Sequence, residues 1–296
     1  MEFSLEAFNR GDYRQLSKAI TLVENGGEES EHLLKQLKPD YNIPLIGITG
    51  PPGAGKSTLI NSLLKNFNEK GFRTAVVAVD PTSPFHHGSL LGDRLRMSEH
   101  FLSSKVFIRS LATRGSLGGL SAKTLEITDL LRSFPFDRIV VETVGVGQSE
   151  VEIAGLADTT VLVLVPESGD EVQGLKAGIM EIGDVFVVNK SDRDGADTFA
   201  KNLSMVIHER DVSGWTPPVI QCVASEGKGT AELAGACDSH FAARSPARKQ
   251  YLFAERAWQL IARRKMASVN RQLLKEKIAA GMNASGFNLY RIIEGF

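Results

Sequence analysis

Seven short apolar runs punctuate the middle of the chain, at 45–49, 74–80, 105–112, 137–143, 159–165, 184–190 and 218–224, with polar, helix-forming segments between them. Several, such as "DRIVVET" and "TTVLVLV", are continuous rather than alternating. That pattern predicts strands covered on both faces, as in a mainly parallel sheet flanked by helices. Upstream, "GDYRQLSKAITLVENG" places Leu16, Ile20 and Val23 at helical spacing and stops at Gly26-Gly27. "SEHLLKQL" is a second helical candidate, and Pro44 precedes the first strand. Beyond about residue 245 the chain becomes long, charged and helical. The pattern divides it into an N-terminal helical extension (1–42), a sheet domain (43–244) and a C-terminal helical arm (245–296). Tyr251, Trp258, Leu260 and Ile261 give that arm apolar contacts, either for the sheet domain or for a dimer interface.

The first strand runs into "GPPGAGKST", which fits G-x-x-x-x-G-K-[ST] between a strand and a helix. This makes the fold expectation an α/β P-loop NTPase. Gly50, Pro52, Gly53, Ala54, Gly55, Lys56, Ser57 and Thr58 are the candidate phosphate-binding residues. Glycines let backbone N–H groups converge on phosphate oxygens, and a helix N-terminus adds positive potential. Lys56 would reach the β- and γ-phosphates, and Ser57 would give a hydroxyl to Mg²⁺.

A later run ends at Asn189-Lys190-Ser191-Asp192, an N-K-x-D pattern. The Asp192 carboxylate can accept two hydrogen bonds from guanine N1–H and the exocyclic amine, a donor pair that adenine lacks. The Lys190 stem can lie along the base plane, and Asn189 can tie neighbouring loops. In "CVASEGKG" the backbone N–H of Ala224 is the candidate contact for guanine O6. The nucleotide expected is therefore GTP or GDP.

Three acids sit at strand ends or in following loops: Asp80, Asp93 and Glu142. Mg²⁺ prefers oxygen ligands and keeps some waters, so one or two of these acids bind it directly and the rest through water. "ETVGVGQSE" has the form E-x-x-G, with glycines that let a γ-phosphate-sensing loop move. Gln148 there either orients the attacking water or is an ordinary polar loop residue. The catalytic candidates are Lys56, Asp93, Glu142 and Gln148. In "PESGDEVQGLKAG", Gln173 and Lys176 are candidates to relay a partner's signal or to meet nucleotide or solvent. Arg109 and Arg114 meet phosphate, a partner or water, and the pair His86-His87 invites a metal reading that lacks supporting cysteines.

Composition adds exclusions. The 296 residues are 42% hydrophobic and 23% charged, with a formal net charge of -1, so nothing points to nucleic acid or an anionic membrane as partner. No apolar run approaches membrane-spanning length. "MEFSLEAFNRGDYRQ" has neither a signal-peptide core nor transit-peptide character, giving a cytoplasmic expectation. Cys222 and Cys237, the two cysteines, are too few for a disulfide framework and read as structural.

Together, "GPPGAGKST", "AVDPTSPFHHGSLLGDRLRM", "IRSLATRGSLGGLS", "VVETVGVGQSE", "SGDEVQGLKAGIMEIGD" and "VVNKSD" resemble the MeaB-type GTPases, also labelled ArgK-like. These are metallochaperones of cobalamin-dependent acyl-CoA mutases. The likeness runs from about Gly11 to about residue 235. It implies a GTPase that gates adenosylcobalamin delivery to methylmalonyl-CoA mutase or a similar mutase, and protects or rescues it. It implies Ser57, Asp80, Asp93 and Glu142 around Mg²⁺, residues 166–178 as a third switch, and a homodimer held partly by the C-terminal arm. Val223 stands where the family often has serine, and His86-His87 stand where small residues are common. The ending "GMNASGFNLYRIIEGF" lies outside the likeness. Two other readings are a GTPase that inserts nickel or another metal, and a kinase tied to arginine or ornithine transport.

Overall fold

The computed structural model describes residues 3–80, 100, 103–112, 122–143, 149–168, 180–208, 214–266, 268–282 and 287–294. They form two compact units, 1–249 and 250–296.

The first unit begins with three helices, α1 (Leu5–Asn9), α2 (Tyr13–Asn25) and α3 (Glu28–Gln36). Asp12 caps α2 by accepting from the Arg14 N–H at 2.7 Å, and Gly26 ends it with a positive φ of 74° that suits glycine. An α/β alternation follows: β1 (Leu45–Thr49), α4 (Lys56–Glu69), β2 (Thr74–Asp80), β3 (Val106–Ala112), α5 (Ala122–Arg132), β4 (Arg138–Thr143), α6 (Ser149–Leu156), β5 (Thr159–Leu164), β6 (Val185–Asn189), α7 (Ala196–His208), β7 (Val219–Cys222) and α8 (Thr230–Ala243). The strands make one sheet in the order β3-β2-β4-β1-β5-β6-β7, parallel throughout. Each run expected from the sequence is a strand, shorter by one or two residues at some ends.

Burial explains the unbroken apolar runs. On one face α1, α2, α3, α5 and α6 cover Leu45, Val77, Ile139 and Val141, with Phe8, Leu16, Ile20 and Leu130 in the same cluster. Residues 3–42 thus share a core with the sheet. Further along this face α7 covers Leu162, Leu164, Phe186 and Val188; the register places Leu162 beside Thr49 of β1. On the other face α4 and α8 pack Leu63, Phe67 and Leu233 against Ile46, Ile48, Val76, Val163 and Val187. Each such side chain removed from water contributes about 1.5–3 kcal/mol.

The second unit holds most of α9 (Pro246–Met266), then α10 (Arg271–Met282) and α11 (Leu289–Ile293). The helical arm breaks near 268–270 because Asn270 caps α10, accepting from the Gln272 N–H at 2.9 Å. Neither α10 nor α11 has a buried residue, and Trp258 and Tyr290 are 70% and 76% exposed.

Candidate nucleotide site

In a parallel sheet the loops at the strands' C-terminal ends gather on one edge. Here β1, at the centre of the sheet, leads into residues 50–55 and then α4. Helix geometry leaves the first N–H groups of α4 without helical acceptors, so a ready-made anion site faces that edge. The Lys56 ammonium folds back over the loop, donating to Gly50 O at 2.8 Å and Pro51 O at 3.0 Å. Ala54, Lys56 and Ser57 are buried, whereas Pro52, Gly53 and Thr58 are exposed at the rim. Gly55, the residue before α4, has φ 84°, and a Cβ there would lie 2.4 Å from Asn189 Nδ2. Only glycine meets both demands at that position.

Ser57 Oγ donates to Glu142 Oε1 at 2.7 Å, and both side chains are buried. A hydroxyl and a carboxylate in contact beside a phosphate-type loop form a hard-oxygen donor set, which suits Mg²⁺. Beneath them Thr143 Oγ1 donates to Thr49 Oγ1 at 2.8 Å, joining the ends of β4 and β1. Asp80 ends β2, two positions beyond Ala78, which pairs with Glu142. Its side chain, and all of Asp93, Gln148, Gln173, Lys176, His86, His87 and Arg114, lie outside the described residues.

The base-recognition candidates converge through Asn189. Its Nδ2 donates to Ala54 O at 2.8 Å, and its Oδ1 accepts from the Ala224 N–H at 3.2 Å. One buried amide therefore joins the phosphate loop, the end of β6 and the 224–229 loop. The Ala224 N–H assigned from sequence to guanine O6 has a protein acceptor here, so a base would share that donor with Asn189. Lys190 has φ 55°, the one non-glycine residue with positive φ among the described residues. The Ser191 N–H donates to Cys222 O at 3.0 Å and the Arg193 N–H to Lys190 O at 3.1 Å, fixing this strained turn against β7. Asp192 is exposed at its tip.

Other candidates have different duties. Arg109 on β3 pairs with Glu24 of α2, which makes it a link between sheet and helix. Cys222 and Cys237 are buried free thiols. Burial raises both thiol pKa values, Cys222 to about 12, so neither is a ready nucleophile. Sequence reasoning missed one pairing at this edge: Glu167, in the turn Pro166–Ser168 after β5, meets Arg193. Its signal was an acid and a base following two adjacent strands.

Comparison with known proteins agrees with this geometry. The family model described as methylmalonyl-CoA mutase-associated GTPase MeaB matches residues 16–282, reaching well into the C-terminal helices. A protein of Pyrococcus horikoshii named as a GTPase is 50% identical over 234 residues, 77% of this chain and 74% of its own. The GTPase ArgK of Escherichia coli is 37% identical over 240 residues, 78% of this chain and 72% of its own. A crystal structure titled as an LAO/AO transport system kinase superposes with a TM-score of 0.72 at 26% identity, covering 98% of this chain and 95% of that one. With a phosphate loop, a magnesium-type oxygen pair and a guanine-type turn on one sheet edge, the chain is a GTPase and belongs to the MeaB family.

Proposed function

We propose that this GTPase is the chaperone of a cobalamin-dependent acyl-CoA mutase of the methylmalonyl-CoA mutase kind, gating adenosylcobalamin loading and protecting or reactivating the mutase. The observation that carries the reading is the family match over residues 16–282. We place the protein in the cytoplasm with its client; among the described residues no helix is long and apolar enough to cross a membrane.

The reaction is transfer of the γ-phosphoryl group of GTP to water, giving GDP and phosphate. Such transfer needs positioning and charge neutralisation more than covalent chemistry. The Lys56 ammonium exchanges the Gly50 and Pro51 carbonyls for phosphate oxygens, while the α4 N-terminus holds them by backbone N–H groups. Mg²⁺ is proposed at Ser57 and Glu142, with Asp80 and Asp93 completing the set directly or through water; when bound it would supply positive charge against the phosphates. Gln148 orients the water. Asp192 reads guanine, Asn189 locks the loops around it, and Ala224 offers a backbone donor.

Residues 166–178, with Gln173 and Lys176, relay the client's signal. A homodimer through 245–296 is part of the proposal, supported by the exposed Trp258, Ile261 and Tyr290. Turnover without the client is expected to be slow. The test is GTP hydrolysis by the purified protein with and without the methylmalonyl-CoA mutase of the same organism. A marked rise, absent with ATP, supports the chaperone. No rise overturns that client, and nickel binding by the isolated protein or γ-phosphate appearing on a transport protein would redirect the assignment to metal insertion or to a kinase.

A further inference from the structure

The guanine-type turn has an electrostatic problem. Asp192 must present its carboxylate to a base, yet Arg193 follows it directly, Lys190 lies two residues before it, and Lys228 approaches from the 224–229 loop. A carboxylate amid three cations would pair with one of them and lose acceptor capacity. In the structure two of the three cations are occupied elsewhere. Arg193 pairs with Glu167 in the turn after β5. Lys228 Nζ lies 2.6 Å from Glu226 Oε2. Asp192 has no ion pair among the described residues.

We infer that Glu167 and Glu226 are specificity-determining positioning residues: by holding Arg193 and Lys228 they keep both cations off Asp192, so that its carboxylate remains open to the paired donors of guanine. This rests on the assignment of Asp192 as the guanine reader. The ionisation of the two pairs agrees with it. The Arg193 guanidinium holds the Glu167 carboxyl below its ordinary range, with smaller help from Lys190. Glu226 raises the Lys228 ammonium, and Asp192 adds a smaller contribution. The backbone brings the two loops together as well: Lys228 O accepts from the Val223 N–H at 3.2 Å, and the neighbouring Cys222 O accepts from the Ser191 N–H beside Asp192 at 3.0 Å. Both pairs are exposed, so each effect is modest, but they act at the group that decides base identity.

The chemistry of the base gives a readout that a merely structural role would not move. GTP offers Asp192 two donors, N1–H and the 2-amino group. ITP lacks the amino group and offers one. Losing the Asp192 acceptor therefore hurts GTP more than ITP, whereas a generally loosened loop hurts both alike. The experiment is competition of GTP and ITP against a fluorescent GDP analogue, using the full chain as wild type, E167Q, E226Q, E167Q/R193Q and D192N. In E167Q and E226Q the preference for GTP over ITP should shrink by about two- to fivefold. E167Q/R193Q, with the released cation gone, should recover it. Equal weakening of GTP and ITP, no change, or no recovery in the double variant overturns the inference while D192N still loses guanine preference. If D192N keeps that preference, the base assignment falls and the inference falls with it.

Discussion

Glu142 Oε1 accepts the Ser57 hydroxyl hydrogen at 2.7 Å, joining residues 85 positions apart at the C-terminal edge of the sheet. The bond brings the helix that follows the phosphate loop against the end of β4, so one contact serves the fold and lies at the proposed Mg²⁺ site. Glu142→Gln keeps the shape and removes the negative charge. Hydrolysis by E142Q should fall by about 100-fold, with more Mg²⁺ needed for half-maximal rate. A steady-state magnesium titration of wild type and variant checks this, and an unchanged titration would remove Glu142 from the ion's shell.

Asn189 ties the phosphate-type loop to the 224–229 loop. Asn189→Ala would strip Ala54 O and the Ala224 N–H of their buried partner. About 1–3 kcal/mol of stability should be lost. GDP affinity should drop by more than the stability change alone explains, because two loops lose their shared anchor. Urea unfolding alongside GDP titration separates the two effects.

Asp158 anchors the opposite edge of the sheet. Its carboxylate accepts from Arg132 at 2.6 Å and from the Leu45 N–H at 3.0 Å, and also pairs with Arg244. Asp158→Asn leaves two guanidinium groups against a neutral amide. Stability should fall by about 3–5 kcal/mol, because uncompensated buried charge is worse than no charge. Thermal unfolding reads this, and the nucleotide affinity of whatever protein remains folded should be near wild type.

Gly47 lies under α6. A Cβ there would stand 2.5 Å from Ile153 Cγ1 and 2.8 Å from Ala157 Cβ, closer than packed atoms tolerate. Gly47→Ala should destabilise the protein by about 1–3 kcal/mol through overpacking. A lowered melting temperature is the expected result.

The two thiols set a pH expectation. The folded pKa of Cys222 is raised to about 12 by burial, above its unfolded value near 9.0. A raised pKa means that the native state keeps a proton that the unfolded chain releases. This contribution to stability is therefore intact below about pH 9 and declines from there towards 12. Iodoacetamide at pH 8 should label neither Cys222 nor Cys237 in the native protein and both in urea, as mass spectrometry would show.

Much of this was legible locally. The strand runs declared themselves because a two-sided parallel sheet needs unbroken apolar stretches, and "VVAVD" or "LVLV" can serve little else. The phosphate loop declared itself because glycine, lysine and serine at that spacing answer to one ligand geometry. The break at Asn270 was less visible: one capping residue within a charged helical stretch is a weak signal against strong helical composition. Likewise Arg109 offered no hint of Glu24, since a pairing across 85 positions leaves no local pattern.

The amino-acid order alone thus determined the strands, the phosphate-type loop, the N-K-x-D turn and the family, since each is written in contiguous residues. The tertiary structure decided which of them meet. Asn189 reaches the phosphate loop, Glu142 receives Ser57, and Arg193 is drawn to Glu167 because sheet order and register place their strand ends side by side. Distances between strand ends depend on how the sheet is ordered and covered, and that is set by the burial of the whole apolar core rather than by any one segment.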